Sequence, residues 1–309
     1  MSASNEAKRT LVINGVHIDD SFAEAFRMRA ARLLVTAANL TWARHAAESM
    51  TGFATSVIGC GCEAAIEAEL GTDETPDGRP GLSVLLFAVS TEMLGKQIET
   101  RVGQCILTAP TSAVYSGLVG EESVPLGKNL RFFGDGYQVS KQIGGRRFWR
   151  VPVMDGEFVC EEIAQVVKAV GGGNFLVIGN TVAQTLLACE AAVAAMRQCR
   201  GVIMPFPGGV VRSGSKVGSK YKKLPASTND AFCPTLKGVA QSELGADDGA
   251  VLEIVIDGLD ERAIEVAMRL GIQAVCALGS PAGIRRVAAG NYGGKLGKFH
   301  FYLHEVLSR

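Results

Sequence analysis

The stretch NFLVIGNTVAQTLLACEAAVAAMRQCRGVIMPFP, residues 174–207, decides the fold. Its first seven residues, NFLVIGN (174–180), are a short apolar run that reads as a strand. TVAQTLLACEAAVAAMRQC (181–199) has the spacing and length of a long amphipathic helix. GVIMPFP (201–207) then returns to an extended apolar segment. One strand, one helix and a second extended segment form a βαβ unit.

The same pattern recurs downstream and upstream. VLEIVIDGL (251–259) reads as a strand, DERAIEVAMRLGIQAV (260–275) as a helix capped near Asp260, and IRRVAAGN (284–291) as a further β segment. In the first half, RLLVTA (32–37) is strand-like and NLTWARHAAESM (39–50) helical, with Asn39 as N-cap. ATSVIG (54–59) closes that unit as a strand. LSVLLFAV (82–89), STEMLGKQIETRVGQ (90–104, N-cap Ser90) and CILTAP (105–110) repeat strand, helix, strand. Two units per half predict an α+β protein of two ferredoxin-like lobes, each an antiparallel sheet with helices on one face. The Gly- and charge-rich FFGDGYQVSKQIGGRRFWR (132–150) serves as the crossover. This places the lobes at 1–152 and 153–309.

Bulk properties narrow the function. Lys+Arg and Asp+Glu balance at 31 each, which argues against a protein that holds nucleic acid through its overall field. No apolar run reaches the roughly 18–20 residues of a membrane helix, and MSASNEAKRT does not open like a signal peptide. The 8 cysteines lie scattered, often within apolar segments, and read as small buried side chains in a reducing cytoplasm. The 37 glycines are well above average usage and cluster, as in loops where backbone approaches a ligand or a subunit.

Three tempting motifs fail on spacing. GCGCEA (59–64) fits a dinucleotide fingerprint but lacks room for the helix that must follow, so a tight turn is the reading. GVVRSGSK (209–216) has a serine between the glycine and lysine of a phosphate loop. Cys60-x-Cys62 and His300-x-x-x-His304 lack the second pair of ligands a metal site needs, so no metal is expected.

Two features remain. GSKVGSKYKKLPASTNDAFCP (214–234) carries Lys216, Lys220, Lys222 and Lys223 within eight residues, suited to phosphate, nucleic acid or a polycarboxylate tail. Ser227, Thr228, Asn229 and Asp230 beside it are candidates to cap a helix or hold a heterocycle. Glu253 shares one strand face with Val251 and Val255. An acid there ordinarily faces solvent. If instead it is buried, desolvation keeps it protonated and able to donate to a developing oxyanion.

VGGGNF (170–175), PFPGGVV (205–211), SKVGSKY (215–221), LPASTNDAFCPT (224–235), EIVIDGL (253–259) and AGNYGGKLGKF (289–299) together resemble the formylmethanofuran:tetrahydromethanopterin formyltransferase family. FAEAFRMRAARLLVTAAN, TGFATSVI, ETPDGRPG, GQCILTAPT and FFGDGYQ extend the resemblance over nearly the whole chain. It implies transfer of a formyl group between N5 of a tetrahydromethanopterin-type pterin and the amine of a methanofuran-type carrier. Both carriers are substrates, and no tightly bound cofactor is implied. Glu253 matches the family's catalytic glutamate, and the lysine loop would neutralise an anionic carrier tail. The glycine clusters at 170–173, Gly208–Gly209 and Gly293–Gly294 would surround the carriers. The resemblance also implies a homo-oligomer, typically a tetramer. The neutral, cysteine-bearing chain and its polar N-terminal extension look like the bacterial, methylotrophic branch. There the enzyme is similar to a subunit of a formyltransferase/hydrolase complex of formaldehyde oxidation, with hydrolase and accessory subunits as partners. A non-catalytic scaffold subunit and a carrier-binding module are the alternatives from other classes.

Overall fold

The computed structural model describes residues 11–309; the N-terminal extension read in the sequence lies outside them. Eight strands and four helices carry the architecture. In the first half they are β1 (Phe22–Thr36), α1 (Leu40–Thr51), β2 (Glu63–Leu70), β3 (Gly81–Ala88), α2 (Thr91–Arg101) and β4 (Ala113–Ser116). In the second they are β5 (Ile163–Gly179), α3 (Val182–Met196), β6 (Val202–Ile203), β7 (Ala250–Gly258), α4 (Glu261–Leu278) and β8 (Ile284–Ala288). Antiparallel pairing gives the order β2-β3-β1-β4 in the first set and β6-β7-β5-β8 in the second.

The helix starts follow from capping chemistry. Asn39, Ser90, Thr181 and Asp260 each accept a backbone N–H from three residues on, satisfying a donor the first turn leaves free. The apolar faces of α1 and α2 close a core over Leu33, Val35, Leu82, Val84 and Leu86. Those of α3 and α4 close another over Phe175, Val177, Ile254 and Ile256. The outward face of α3 is less polar than an amphipathic helix requires, since Val182, Leu186 and Leu187 are exposed.

The two sets of strands are not separate sheets. β1 and β5, at 15 and 17 residues, run antiparallel to each other from Val167↔Ala30 to Gly171↔Phe26 and weld everything into one large, mostly antiparallel sheet. RLLVT of the RLLVTA segment is thus the end of a strand of 15 residues, and Ala37 lies just past it. A small apolar cluster of Met28, Ala30, Leu85, Phe87, Ala169 and Ile203 seals this seam. Glu67 on β2 crosses it, accepting Arg32 on one side and the Gly201 N–H, at 2.6 Å, on the other.

Two strand assignments are corrected. ATSVIG is not a strand: Ser56 caps a single helical turn at Val57–Cys60, Gly61 reverses the chain at φ +79°, and the strand begins at Glu63. This also removes GCGCEA as a strand-to-helix turn, because a strand follows it. CILTAP is likewise helical at its start. The chain leaves α2 through a wider turn at Val102–Ile106, held by Arg101 on the carbonyls of Met50, Gly52 and Phe53, and the strand comes only at Ala113. In both places short apolar residues cover a core from a turn as well as they would from a strand.

Candidate active site

The period-two reading of β7 holds. Ile254 and Ile256 point to the helices, so Glu253 and Val255 face the other side of the sheet. That side is not open water. The segment after β6 folds back and pairs with β7 at Glu253 itself. Val211 and Glu253 exchange both backbone hydrogen bonds, at 2.8 and 2.9 Å. A second loop, 289–298, covers the other flank. Between them is a cavity of about 540 Å3 lined from both halves of the chain. Phe26, Arg27 and Met28 come from β1, Ser56–Ile58 and Glu63 from the entry to β2, Gly171, Gly172 and Asn174 from β5, and Tyr292, Leu296 and Lys298 from the covering loop. Larger hollows of about 710, 620 and 600 Å3 lie elsewhere, the last lined from both halves and by Gly208 and Gly209, but none of the three contains Glu253.

Burial in this cavity pushes the Glu253 carboxyl up to about 7. Half of it is then protonated at neutral pH, where an ordinary surface glutamate is fully ionised. A neutral carboxylic acid in an enclosed, largely apolar site can donate to an oxygen that is gaining charge.

The covering loop is held by an acid the sequence reading missed. Glu24, only 1% exposed, accepts four backbone N–H groups, from Tyr292, Gly294, Leu296 and Gly297, at 2.5–2.9 Å. Burial alone would push its carboxyl up, but these donors, led by Gly297, outweigh that and hold it below its ordinary value. Gly293 and Gly294, at φ +74° and +72°, supply the left-handed turns that wrap the loop around Glu24. They shape the wall rather than line it. Asn174 adds a reciprocal pair to Gly290, with its Nδ2 on the Gly290 carbonyl at 3.0 Å and the Gly290 N–H on its Oδ1 at 2.6 Å.

The basic segment forms the outer rim. Ser213, Gly214, Ser215 and Val217 reach the cavity. Lys216 turns away to Asp230, with both carboxylate oxygens at 2.7 Å. Lys220, Lys222 and Lys223 stand exposed beyond it. Ser227 donates to the Gly218 carbonyl at 2.7 Å, Thr228 meets the Cys233 thiol, and the Asn229 carbonyl accepts from that thiol, so 227–230 brace the segment as the partner strand Ala226–Thr228 and the turn after it. Gly208 and Gly209 lie on a turn outside this cavity, where a Cβ on Gly209 would come within 2.9 Å of Val193 on α3. Of the glycines at 171–173, Gly171 and Gly172 line the cavity. Among the described residues no cluster of three or more His, Cys, Asp or Glu is arranged to hold a metal ion, and no helix is long and apolar enough to cross a membrane.

An acid sheltered between two loops, in a cleft lined from both halves of the chain, is the arrangement of an enzyme's candidate active site. The chain belongs to the formylmethanofuran–tetrahydromethanopterin formyltransferase family: that family's pattern matches residues 11–153, and its proximal-lobe pattern matches residues 156–306. In sequence it is 66% identical over 298 residues to the formylmethanofuran–tetrahydromethanopterin formyltransferase of Methylococcus capsulatus, covering 96% of this chain and 100% of that one. Two solved structures are similar throughout. A chain of the Methylorubrum extorquens formyltransferase/hydrolase complex, crystallised with methylofuran, superimposes with TM-score 0.95 at 50% identity, over 97% of this chain and 99% of that one. The Methanosarcina barkeri formyltransferase gives 0.91 at 48%, over 96% and 100%.

Proposed function

We propose that this protein transfers a formyl group between N5 of a tetrahydromethanopterin-type pterin and the amine of a methanofuran-type carrier, with Glu253 as the acid. The observation that carries this reading is a carboxyl held near neutrality in a cavity to which both halves of the chain contribute. The acceptor amine attacks the formamide carbon, forming a C–N bond and a tetrahedral oxyanion. Neutral Glu253 donates a hydrogen bond to that oxygen. On collapse the C–N bond to the donor breaks, and the proton lost by the attacking amine ends on the departing nitrogen. No enzyme nucleophile enters. Alignment of both carriers in one cleft supplies the rest of the rate. Lys220, Lys222 and Lys223, with Lys216 anchoring the segment on Asp230, give a positive rim for an anionic carrier tail.

The matching strand orders β2-β3-β1-β4 and β6-β7-β5-β8 support two ferredoxin-like lobes, 1–152 and 153–309, with the start of β5 laid back on the first. Exposed Val182, Leu186 and Leu187 on α3 support burial of that face in a homo-oligomer, for which a tetramer is the proposed state. The likeness to a chain of a formyltransferase/hydrolase complex supports hydrolase and accessory subunits as further partners, in the cytoplasm. The test is formyl transfer by the purified protein, followed as loss of formyl-tetrahydropterin with a furan carrier present. Turnover dependent on both carriers supports the proposal. Tight binding of one carrier with no turnover, even with partner subunits supplied, overturns it in favour of a binding module.

A further inference from the structure

Glu63 and Asp257 take no part in the chemistry above, yet they meet beside the same cavity. Glu63 opens β2 and lines the cavity from the first half, while Asp257 sits near the end of β7 and is 0% exposed. Each carboxyl has one oxygen committed to a backbone donor of a cavity wall. The Val57 N–H reaches Glu63 Oε1 at 3.1 Å, and the Gly172 N–H reaches Asp257 Oδ1 at 2.9 Å. Among the described residues no donor reaches the buried Asp257 Oδ2, and the Asp257 carboxyl lies within hydrogen-bond reach of the Glu63 carboxyl. Two carboxylates cannot face each other as anions in a dry interior, whereas one proton between them makes one the donor and the other the acceptor. Space is tight: a Cβ on Gly171 would come within 2.9 Å of Asp257 Oδ1 and collide with Met28.

We infer that Glu63 and Asp257 are positioning residues, whose single shared proton completes a hydrogen-bonded chain from Val57 to Gly172 and thereby fixes the two cavity walls to each other. Both ends of the chain line the cavity, and its middle link crosses between the halves. The surrounding titratable and charged groups are Cys62 beside Glu63, with Cys60 and Arg101 behind it, and Glu24, Arg27, Glu253, Tyr292 and Lys298 around the cavity. Burial pushes both carboxyls of the pair up, Asp257 well above its ordinary range with the Glu63 charge adding to it.

The test uses amides, because an amide N–H can stand in for the shared proton. Glu63→Gln or Asp257→Asn alone keeps every link. The double variant turns two NH2 groups towards each other, since the two carbonyl oxygens are taken by Val57 and Gly172. Denaturant unfolding of the full chain is followed from pH 5 to 7. Wild type must take up the shared proton on folding, so its stability falls as pH rises above the ordinary carboxylate range. In each single variant that slope is shallower by close to one proton, about a tenfold smaller change in the unfolding constant per pH unit. The double variant is destabilised beyond the sum of the singles. Equal slopes in wild type and both singles, or a double variant as stable as the singles, overturn the shared proton. These measurements hold whatever the cavity binds. The kinetic readout alone rests on the proposed function: Glu63→Ala raises KM for a carrier severalfold with little change in kcat, and Glu63→Gln restores most of it. An amide no better than alanine overturns the positioning role.

Discussion

Replacing Glu253 by Gln should make the protein more stable and slower at the same time. Raising the carboxyl from 4.5 to about 7 means that the fold disfavours its charged form by roughly 3 kcal/mol. An amide of nearly the same shape carries no charge and removes that cost. Because the mostly buried side chain keeps some exposure to the cavity, the gain expected at high pH is about 1–3 kcal/mol, or roughly 3–8 °C in Tm. The sign follows from a raised carboxyl. Below about 4.5 folded and unfolded states are both protonated and the variant gains little. The penalty on wild type grows between 4.5 and 7 and is complete above 7. The advantage of the variant is therefore small at pH 5 and largest at pH 8. Turnover moves the other way, falling tenfold or more, because an amide N–H is a poorer donor to an oxyanion than a carboxylic acid. Wild-type kcat itself should decline as pH rises through about 7 and the proton leaves. Calorimetry at pH 5 and 8, together with steady-state formyl transfer, decides the matter. A Tm gain independent of pH, or a variant as fast as wild type, would refute the reasoning.

Other outcomes test the surroundings. Glu24→Ala leaves four loop N–H groups without their acceptor and should cost about 3 kcal/mol or more in denaturant unfolding. Because the Glu24 carboxyl is held low, its contribution is present above the ordinary carboxylate range and fades as pH falls, so the gap to wild type should narrow in acid. Glu67→Ala strands Arg32 and the Gly201 N–H at the seam and should cost roughly 3–5 kcal/mol, measured the same way. The triple variant K220A/K222A/K223A should raise KM for the carrier with the anionic tail while leaving kcat unchanged. The difference from wild type should shrink as salt rises from 50 to 500 mM, because the Debye length shortens. A KM insensitive to salt in both proteins would remove the lysine rim from binding.

The elements that stand on local chemistry were legible. Asn39, Ser90 and Asp260 mark helix starts in the sequence itself, because an N-cap acts within three residues of its own position. Alternation along VLEIVID puts Glu253 on one strand face with Val251 and Val255, since a strand's two faces follow from its pleat, and leaves what covers that face to the tertiary structure. The errors fell where local signals are equivocal: ATSVIG and CILTAP are short apolar runs that a turn can bury as well as a strand. At the site, Glu253 and the basic segment were singled out. Glu24, Glu63 and Asp257 were not, because nothing adjacent to them in sequence shows what they meet.

What the sequence determined by itself was the succession of strands and helices in each half and the presence of an acid on an otherwise apolar strand face. Only the tertiary structure decided what that acid experiences. Two loops more than thirty residues away on either side close over Glu253, β1 and β5 join the halves into one sheet, and acids far apart in the chain tie the walls together. Capping and alternation are set by neighbours along the chain, whereas desolvation and the sharing of a proton are set by neighbours in space.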